Sequence, residues 1–142
     1  MASPQVLFHN IETNVKPDKY RNNMLLQIAR KLIGSVILTV DKLTSPKSPI
    51  RSIEEQAHLD EITSSLTLYE MLACPFCVKV RREVKRLGLN IHRRDVKKDQ
   101  NDMQALVNGG GKFQVPCLCI ESEGNTTWLY ESDEIIKYLA QL

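Results

Sequence analysis

Cys74-Pro75-Phe76-Cys77 stands where an alternating strand pattern, Leu66-Thr67-Leu68-Tyr69-Glu70-Met71, gives way to a helical pattern running to Leu87. Few folds place a thiol pair at such a junction. A helix N-terminus leaves four N–H groups unpaired and carries roughly half a positive charge. A thiol there loses its proton more readily: an ordinary pKa of about 8.5 falls to about 3.5–7.5 in such motifs. The gain in thiolate is bounded at roughly thirty-fold, and weaker bases are weaker nucleophiles. Cys74, at the mouth, is the expected nucleophile, and Cys77, one turn in, the expected resolving thiol. Pro75 suits the first helical turn, where its missing N–H is not needed. Lys79, Arg81 and Arg82 add positive potential. A bare CxxC also serves zinc, but at a strand-to-helix junction within a βαβ pattern it points to redox chemistry.

The residues downstream supply that pattern. Gly88 is a natural helix stop, and Ile91 to Val96 reads as a second strand. Asn101 to Val107 reads as a helix ended by Gly109-Gly110-Gly111. Pro116 opens a strand over 117–121, Glu123-Gly124-Asn125 turns the chain, and 126–130 returns it. Ser132 is expected to cap a last helix to Leu142, with Asp133 and Glu134 in its first turn. The order β-α-β-α-β-β-α defines an α/β fold: a parallel βαβ unit, then a hairpin with a covering helix.

Residues 1–65 hold no catalytic constellation. Over 24–43, apolar residues at Leu25, Ile28, Ala29, Leu32, Ile33, Val36, Ile37, Val40 and Leu43 fall at helical spacing on one face. Arg30, Lys31, Asp41 and Lys42 interrupt the run, which argues against a spanning helix. Lys16, Lys19 and Arg21 precede it, so two readings stand: packing on the chain itself or on a second copy, the commoner case, or contact with a membrane surface. Thr44-Ser45-Pro46-Lys47-Ser48-Pro49 reads as a linker. Ser52-Ile53-Glu54-Glu55 fits a capping box opening a short helix to about Ile62, expected to be a spacer.

The chain has 142 residues, 42% apolar and 25% charged, with a net charge of +2. That suits one domain with an extension, here 1–65 ahead of 66–142. It leaves no electrostatic footprint for nucleic acid. Four cysteines are too few for a disulfide scaffold. With no signal-peptide pattern at the start, the expected location is a reducing compartment, the cytoplasm, peripheral to the inner face of a membrane if the surface-helix reading holds.

On these motifs, residues 66–142 resemble a glutaredoxin, of the thioredoxin-like superfamily: Cys74-Pro75-Phe76-Cys77, then Val115-Pro116, then Glu131-Ser132-Asp133. Lys79-Val80-Arg81 and Tyr130-Glu131-Ser132 also resemble the N-terminal domain of glutathione transferases. One helix after the hairpin leaves no room for a transferase's helical domain, so the glutaredoxin reading is preferred. The resemblance implies a thioredoxin-like βαβαββα domain behind an N-terminal helical extension. It implies a thiol–disulfide oxidoreductase with glutathione as co-substrate, no metal, and disulfide-containing proteins as partners. It further implies a cis Val115–Pro116 bond that turns the Val115 backbone toward the site, to pair with the cysteinyl segment of glutathione. Ser132 and Asp133 match positions that hold the γ-glutamyl end, where free N–H groups suit a carboxylate and an acidic side chain suits an amine. Glu131 fits the transferase pattern for the same amine. Many glutaredoxins carry a lysine three residues before the nucleophile. Here that residue is Met71, and Lys112, Arg93 and Lys79 are the candidate substitutes.

Other readings attach to the same residues. Cys117-Leu118-Cys119 could complete a four-thiolate zinc site with Cys74 and Cys77, but strand alternation sends Cys117 and Cys119 to one face, most simply the core. An iron–sulfur cluster shared between two chains is disfavoured by Pro75, since cluster-binding relatives usually lack that proline. Gly110-Gly111-Lys112 lacks the Ser or Thr of a phosphate loop. His9, His58 and His92 have no ligand spacing, and Trp128, Tyr130 and Tyr138 read as packing residues.

Overall fold

The computed structural model describes residues 18–142, with side chains from residue 24. His9, Lys16 and the signal-peptide reading fall outside the described residues; Lys19 and Arg21 fall within the first helix, ahead of the described side chains. Contacts divide the chain into two compact units, one ending at Leu32 and one running Ile33–Leu142. The second unit contains the thiol pair, the linker and every strand.

The elements are α1 (Asp18–Leu43), α2 (Ile53–Thr63), β1 (Leu66–Glu70), α3 (Pro75–Arg86), β2 (His92–Asp95), α4 (Gln100–Gly110), β3 (Cys117–Ser122), β4 (Asn125–Tyr130) and α5 (Ser132–Leu139). The sheet order is β2-β1-β3-β4, with β1 and β2 parallel and the other pairings antiparallel. This is the expected α/β architecture with an N-terminal helix. The hairpin turns at Glu123 and Gly124, both at positive φ, as a tight two-residue connection requires.

Both faces of the sheet are covered. Leu66, Leu68 and Leu118 meet Val80 and Val84 of α3 and Ile135 and Leu139 of α5. On the other face Tyr69, Cys117 and Cys119 meet Leu106 of α4, with Trp128 and Tyr130 packed at the side. Alternation along β1 and β3 produces the two cores, because successive side chains point to opposite faces. Burial of Cys117 and Cys119 agrees with the core expectation.

Three local readings change. The glycines at 109 and 110 do not end α4: the helix includes both and stops at Gly111, whose φ of 78° is left-handed. A Cβ at Gly109 would fall inside contact distance of Trp128, and one at Gly110 inside that of the Tyr130 hydroxyl. The two glycines therefore let α4 settle on the aromatic residues of β4. Second, α2 is not a free spacer. The Ser52–Glu55 capping box forms at 3.2 and 3.1 Å. The helix is tied down at both ends: Thr63 Oγ1 at its C-terminus donates to the Asn90 carbonyl at 3.0 Å, and Gln56 Nε2 in its first turn donates to the Gly88 carbonyl. Third, Ser132 is not the cap of α5; Glu131 occupies that position and Ser132 begins the helix.

Within the second unit, the C-terminal part of α1 packs beside the start of α3. Gly34 is buried, and a Cβ there would stand 3.1 Å from the Ala73 Cβ. Asp41 accepts from Arg82 at 3.2 Å. Ile33, Val36, Val40 and Leu43 nevertheless remain exposed. Among the described residues no helix is long and apolar enough to cross a membrane.

Candidate active site

β1 ends at Glu70, a turn closes through the Cys74 N–H donating to the Met71 carbonyl at 3.2 Å, and α3 begins at Pro75. Cys74 is the N-cap of α3, in extended backbone and with no side-chain capping bond. Its sulfur therefore stands at the end of the helix where N–H groups lack intrahelical partners. Pro75 occupies the first turn, as expected. All four cysteines are free thiols; Cys74 is half-buried and the other three are buried.

The pair is asymmetric. Cys77 has no exposed surface. Burial pushes its thiol up to about 12, against a Met71 N–H that points at the sulfur from 3.5 Å. A hydrogen bond to Cys74 and the nearby Glu70 carboxylate push in the same direction as burial. Cys77 is thus held as a neutral thiol beside the accessible sulfur of Cys74. Cys117 is likewise raised, to about 11, mainly by burial.

Glu70 ties the loop to its surroundings. Its buried carboxylate accepts from Arg81 Nη1 at 2.8 Å and from Arg93 Nε at 2.7 Å. Arg81 also donates to the Leu72 carbonyl at 2.8 Å, so one guanidinium links the strand end to the turn before Cys74. A carboxylate this enclosed is tolerated because two guanidinium groups satisfy it.

Val115–Pro116 is cis, as expected. Val115 lies outside the ladder, and its N–H and C=O find no hydrogen-bond partner among the described residues. Glu131 has φ 67° and ψ 123°, a sparsely populated conformation for a residue with a side chain, and its carboxylate accepts from Gln114 Nε2 at 2.7 Å. Such outliers cost of order 1–3 kcal/mol and cluster at ligand clamps. Ser132 is buried in the first turn of α5, and Asp133 pairs with Lys79 on α3. The Lys79 ammonium holds the Asp133 carboxyl below its usual range.

None of the three expected substitutes for the missing lysine is uncommitted. Lys79 is taken by Asp133, Arg93 by Glu70, and Lys112 stands 4.5 Å over the Tyr130 ring. Two other lysines line the groove at Cys74: Lys98, 3.9 Å from the Asp95 carboxylate, and Lys97, with no carboxylate partner among the described residues. That groove, about 610 Å³, is walled by Met71, Leu72, Ala73, Cys74, Asp95, Lys97 and Lys98. Sequence reasoning missed Lys97 and Lys98, and Gln114 as the partner of Glu131. The single available signal was the Lys97-Lys98 pair directly after the second strand.

A mixed four-stranded sheet with a thiol pair between its first strand and the following helix, opposite a cis-proline, defines a thioredoxin-like domain. Residues 68–142 match the family described as "Glutathione S-transferase, N-terminal domain", and the chain belongs to that family. Glutaredoxin-C4, a chloroplastic protein of Oryza sativa subsp. japonica, is 26% identical over 86 residues. That alignment covers 58% of this chain and 64% of the rice protein, so the chain spans less than two thirds of its relative. Among solved structures, a thioredoxin-like protein crystallised as a point mutant aligns with 26% identity, covering 54% of this chain and 96% of its own, at a TM-score of 0.43. Wheat glutaredoxin aligns with 22% identity, covering 62% of this chain and 84% of its own, at a TM-score of 0.41.

Proposed function

We propose that the chain is a glutathione-dependent thiol–disulfide oxidoreductase acting on disulfide-containing proteins and glutathione mixed disulfides. The observation that carries this reading is the unequal pair: an accessible Cys74 at the start of α3 and a buried, neutral Cys77 one turn into the helix. Cys74 stands at the end of α3 where N–H groups lack intrahelical partners. The Cys74 thiolate attacks one sulfur of a mixed disulfide, forms a new S–S bond and releases the other sulfur as thiolate, which takes up a proton. A glutathione thiolate then attacks the glutathionyl sulfur on Cys74. Cys74 leaves as thiolate and the two electrons end in oxidised glutathione. With protein disulfides, Cys77 gives its proton to the departing sulfur and closes a Cys74–Cys77 bond, which two glutathione thiols reduce. Poise near about −200 to −230 mV would be typical of such chemistry.

On this reading glutathione binds in an extended pose, from the Cys74 groove past Val115 to the start of α5. The unpaired Val115 N–H and C=O, next to Pro116, suit its cysteinyl segment as an added strand. The start of α5 at Ser132 suits the γ-glutamyl carboxylate, and Glu131 or Asp133 suits the amine. Lys97 and Lys98 suit the glycine carboxylate, in place of the lysine replaced by Met71. The reading needs no metal. Four free thiols suit a reducing compartment, and we place the protein in the cytoplasm.

The test is glutathione-coupled reduction of a small mixed disulfide. Cys74→Ser should abolish it, and Cys77→Ser should leave most of it. Inactivity of the wild type, beside a working control glutaredoxin, would overturn the reading. A second role is favoured by the exposed Met24, Leu25, Leu26, Ile28 and Leu32, with Ile33, Val36 and Val40 after them. We propose contact through residues 24–43 with a membrane surface or a second copy of the chain. Co-sedimentation with anionic vesicles, or a mass that rises with concentration, would each identify one of these; neither result would remove the role.

A further inference from the structure

The electrostatics of the unit point away from the thiols to a second cleft. It measures about 460 Å³ and lies between the linker, α2, α3 and β2. Arg81, Arg82, Lys85 and Arg93 all line it, with Asp41 the one lining carboxylate. Glu70 stands behind Arg81 and Arg93 and neutralises one further charge. Four cations against two carboxylates leave an excess of two positive charges. Lys85 is the least compensated. Among the described residues it has no carboxylate partner, and its ammonium donates to the Ser45 hydroxyl at 2.8 Å. An ammonium has three donors, so two remain for a ligand. Ser45 Oγ accepts that bond and keeps its own proton free to donate, and Ser48 lies on the same wall.

We propose that this cleft is a binding site for a small phosphate-bearing anion. A phosphate monoester dianion matches the excess charge, and its oxygens suit the two remaining Lys85 donors and the Ser45 hydroxyl, in the field of guanidinium groups bonded to Glu70, Asp41 and Thr44. A volume of this order accommodates a small ligand. The cleft shares no wall with the Cys74 groove except through Arg81, which reaches the Leu72 carbonyl. The inference does not depend on the redox reading, and its test reads binding alone.

The experiment titrates inorganic phosphate and pyrophosphate into the full chain, by calorimetry and by amide chemical shifts, with ionic strength held constant within each titration and raised between titrations. Expected are saturable binding, shifts concentrated at Ser45, Lys85 and Asn90, and affinity that falls as salt rises. Lys85→Gln should weaken binding about tenfold or more, the loss of one charge-assisted bond. Lys85→Arg should restore most of it. Lys85 lies on the surface, so both variants should keep the wild-type circular dichroism spectrum. No saturable binding by the wild type, or equal binding by Lys85→Gln, would overturn the proposal.

Discussion

At the scale of single residues, the site depends on how differently two neighbouring thiols are treated. Cys74 reaches the groove, whereas burial holds Cys77 at about 12 against an ordinary 9.0. At about pH 8 that difference leaves Cys77 with roughly a thousandfold less thiolate than an unperturbed cysteine. A pulse of iodoacetamide on the native, reduced chain should therefore label Cys74 and spare Cys77, Cys117 and Cys119, as peptide mass spectrometry would reveal. Labelling of Cys77 at a comparable rate would contradict the buried, neutral assignment. Gly109 illustrates packing at the same scale. Alanine would gain about 1 kcal/mol of helix propensity. Its methyl would also press on the Trp128 ring, and overpacking costs about 1–3 kcal/mol. Because the ring is itself packed against Tyr69, with centroids 5.4 Å apart, it has little room to yield. Gly109→Ala should lower the Tm, and a raised Tm would show that the helix propensity wins.

At the scale of elements, Glu70 joins three of them: it ends β1, takes Arg81 from α3 and takes Arg93 from β2. Removing one partner of an enclosed ion pair typically costs about 3–5 kcal/mol, because the remaining charges stay buried without compensation. Glu70→Ala leaves Arg81, itself largely covered, in that position. Denaturant titration should show a loss of that size, with the slope unchanged. A loss below about 1 kcal/mol would mean that water or Asp41 takes over the guanidinium. The cap of α5 carries a further lesson about elements. Ser132 is the better N-cap residue by type, yet Glu131 holds the position. Tertiary contacts explain the choice: Gln114 holds the Glu131 carboxylate, and Ser132 is buried in the first turn.

At the scale of the whole molecule, two buried thiols and a half-buried tyrosine are shifted in the same direction. Cys77 and Tyr130 are raised to about 12 and Cys117 to about 11, in each case chiefly by burial. The folded chain keeps these protons at pH values where the unfolded chain has released them. The contribution to stability is complete below the unfolded values, near 9.0 for the thiols and 10.0 for tyrosine. It is lost as pH rises through the folded values, so stability falls with pH across that window. The denaturation midpoint should drop steadily above about pH 9, and Cys117→Ala should flatten part of the drop. A midpoint that held constant to about pH 11 would show that these groups are solvated in the folded state.

Much of the architecture was legible in the linear chain, because it is encoded locally. Period-2 apolar runs, a helical stripe after Cys74, a capping box at Ser52 and a turn at Glu123-Gly124 each need only neighbouring residues, and together they give the α/β order and the junction that holds the thiols. The cation partners were not legible. Which of Lys79, Arg93, Lys97, Lys98 and Lys112 faces the groove depends on how the sheet and helices bring distant segments together. The same holds for the Arg81–Glu70–Arg93 cluster, for α4 resting on Trp128 through two glycines, and for the cationic cleft beneath the linker. Residue type and spacing dictate which chemistry is available along a strand or a helix turn. Charge pairing and close approach are choices among competitors far apart in sequence, and only the distances set by the folded chain decide between them.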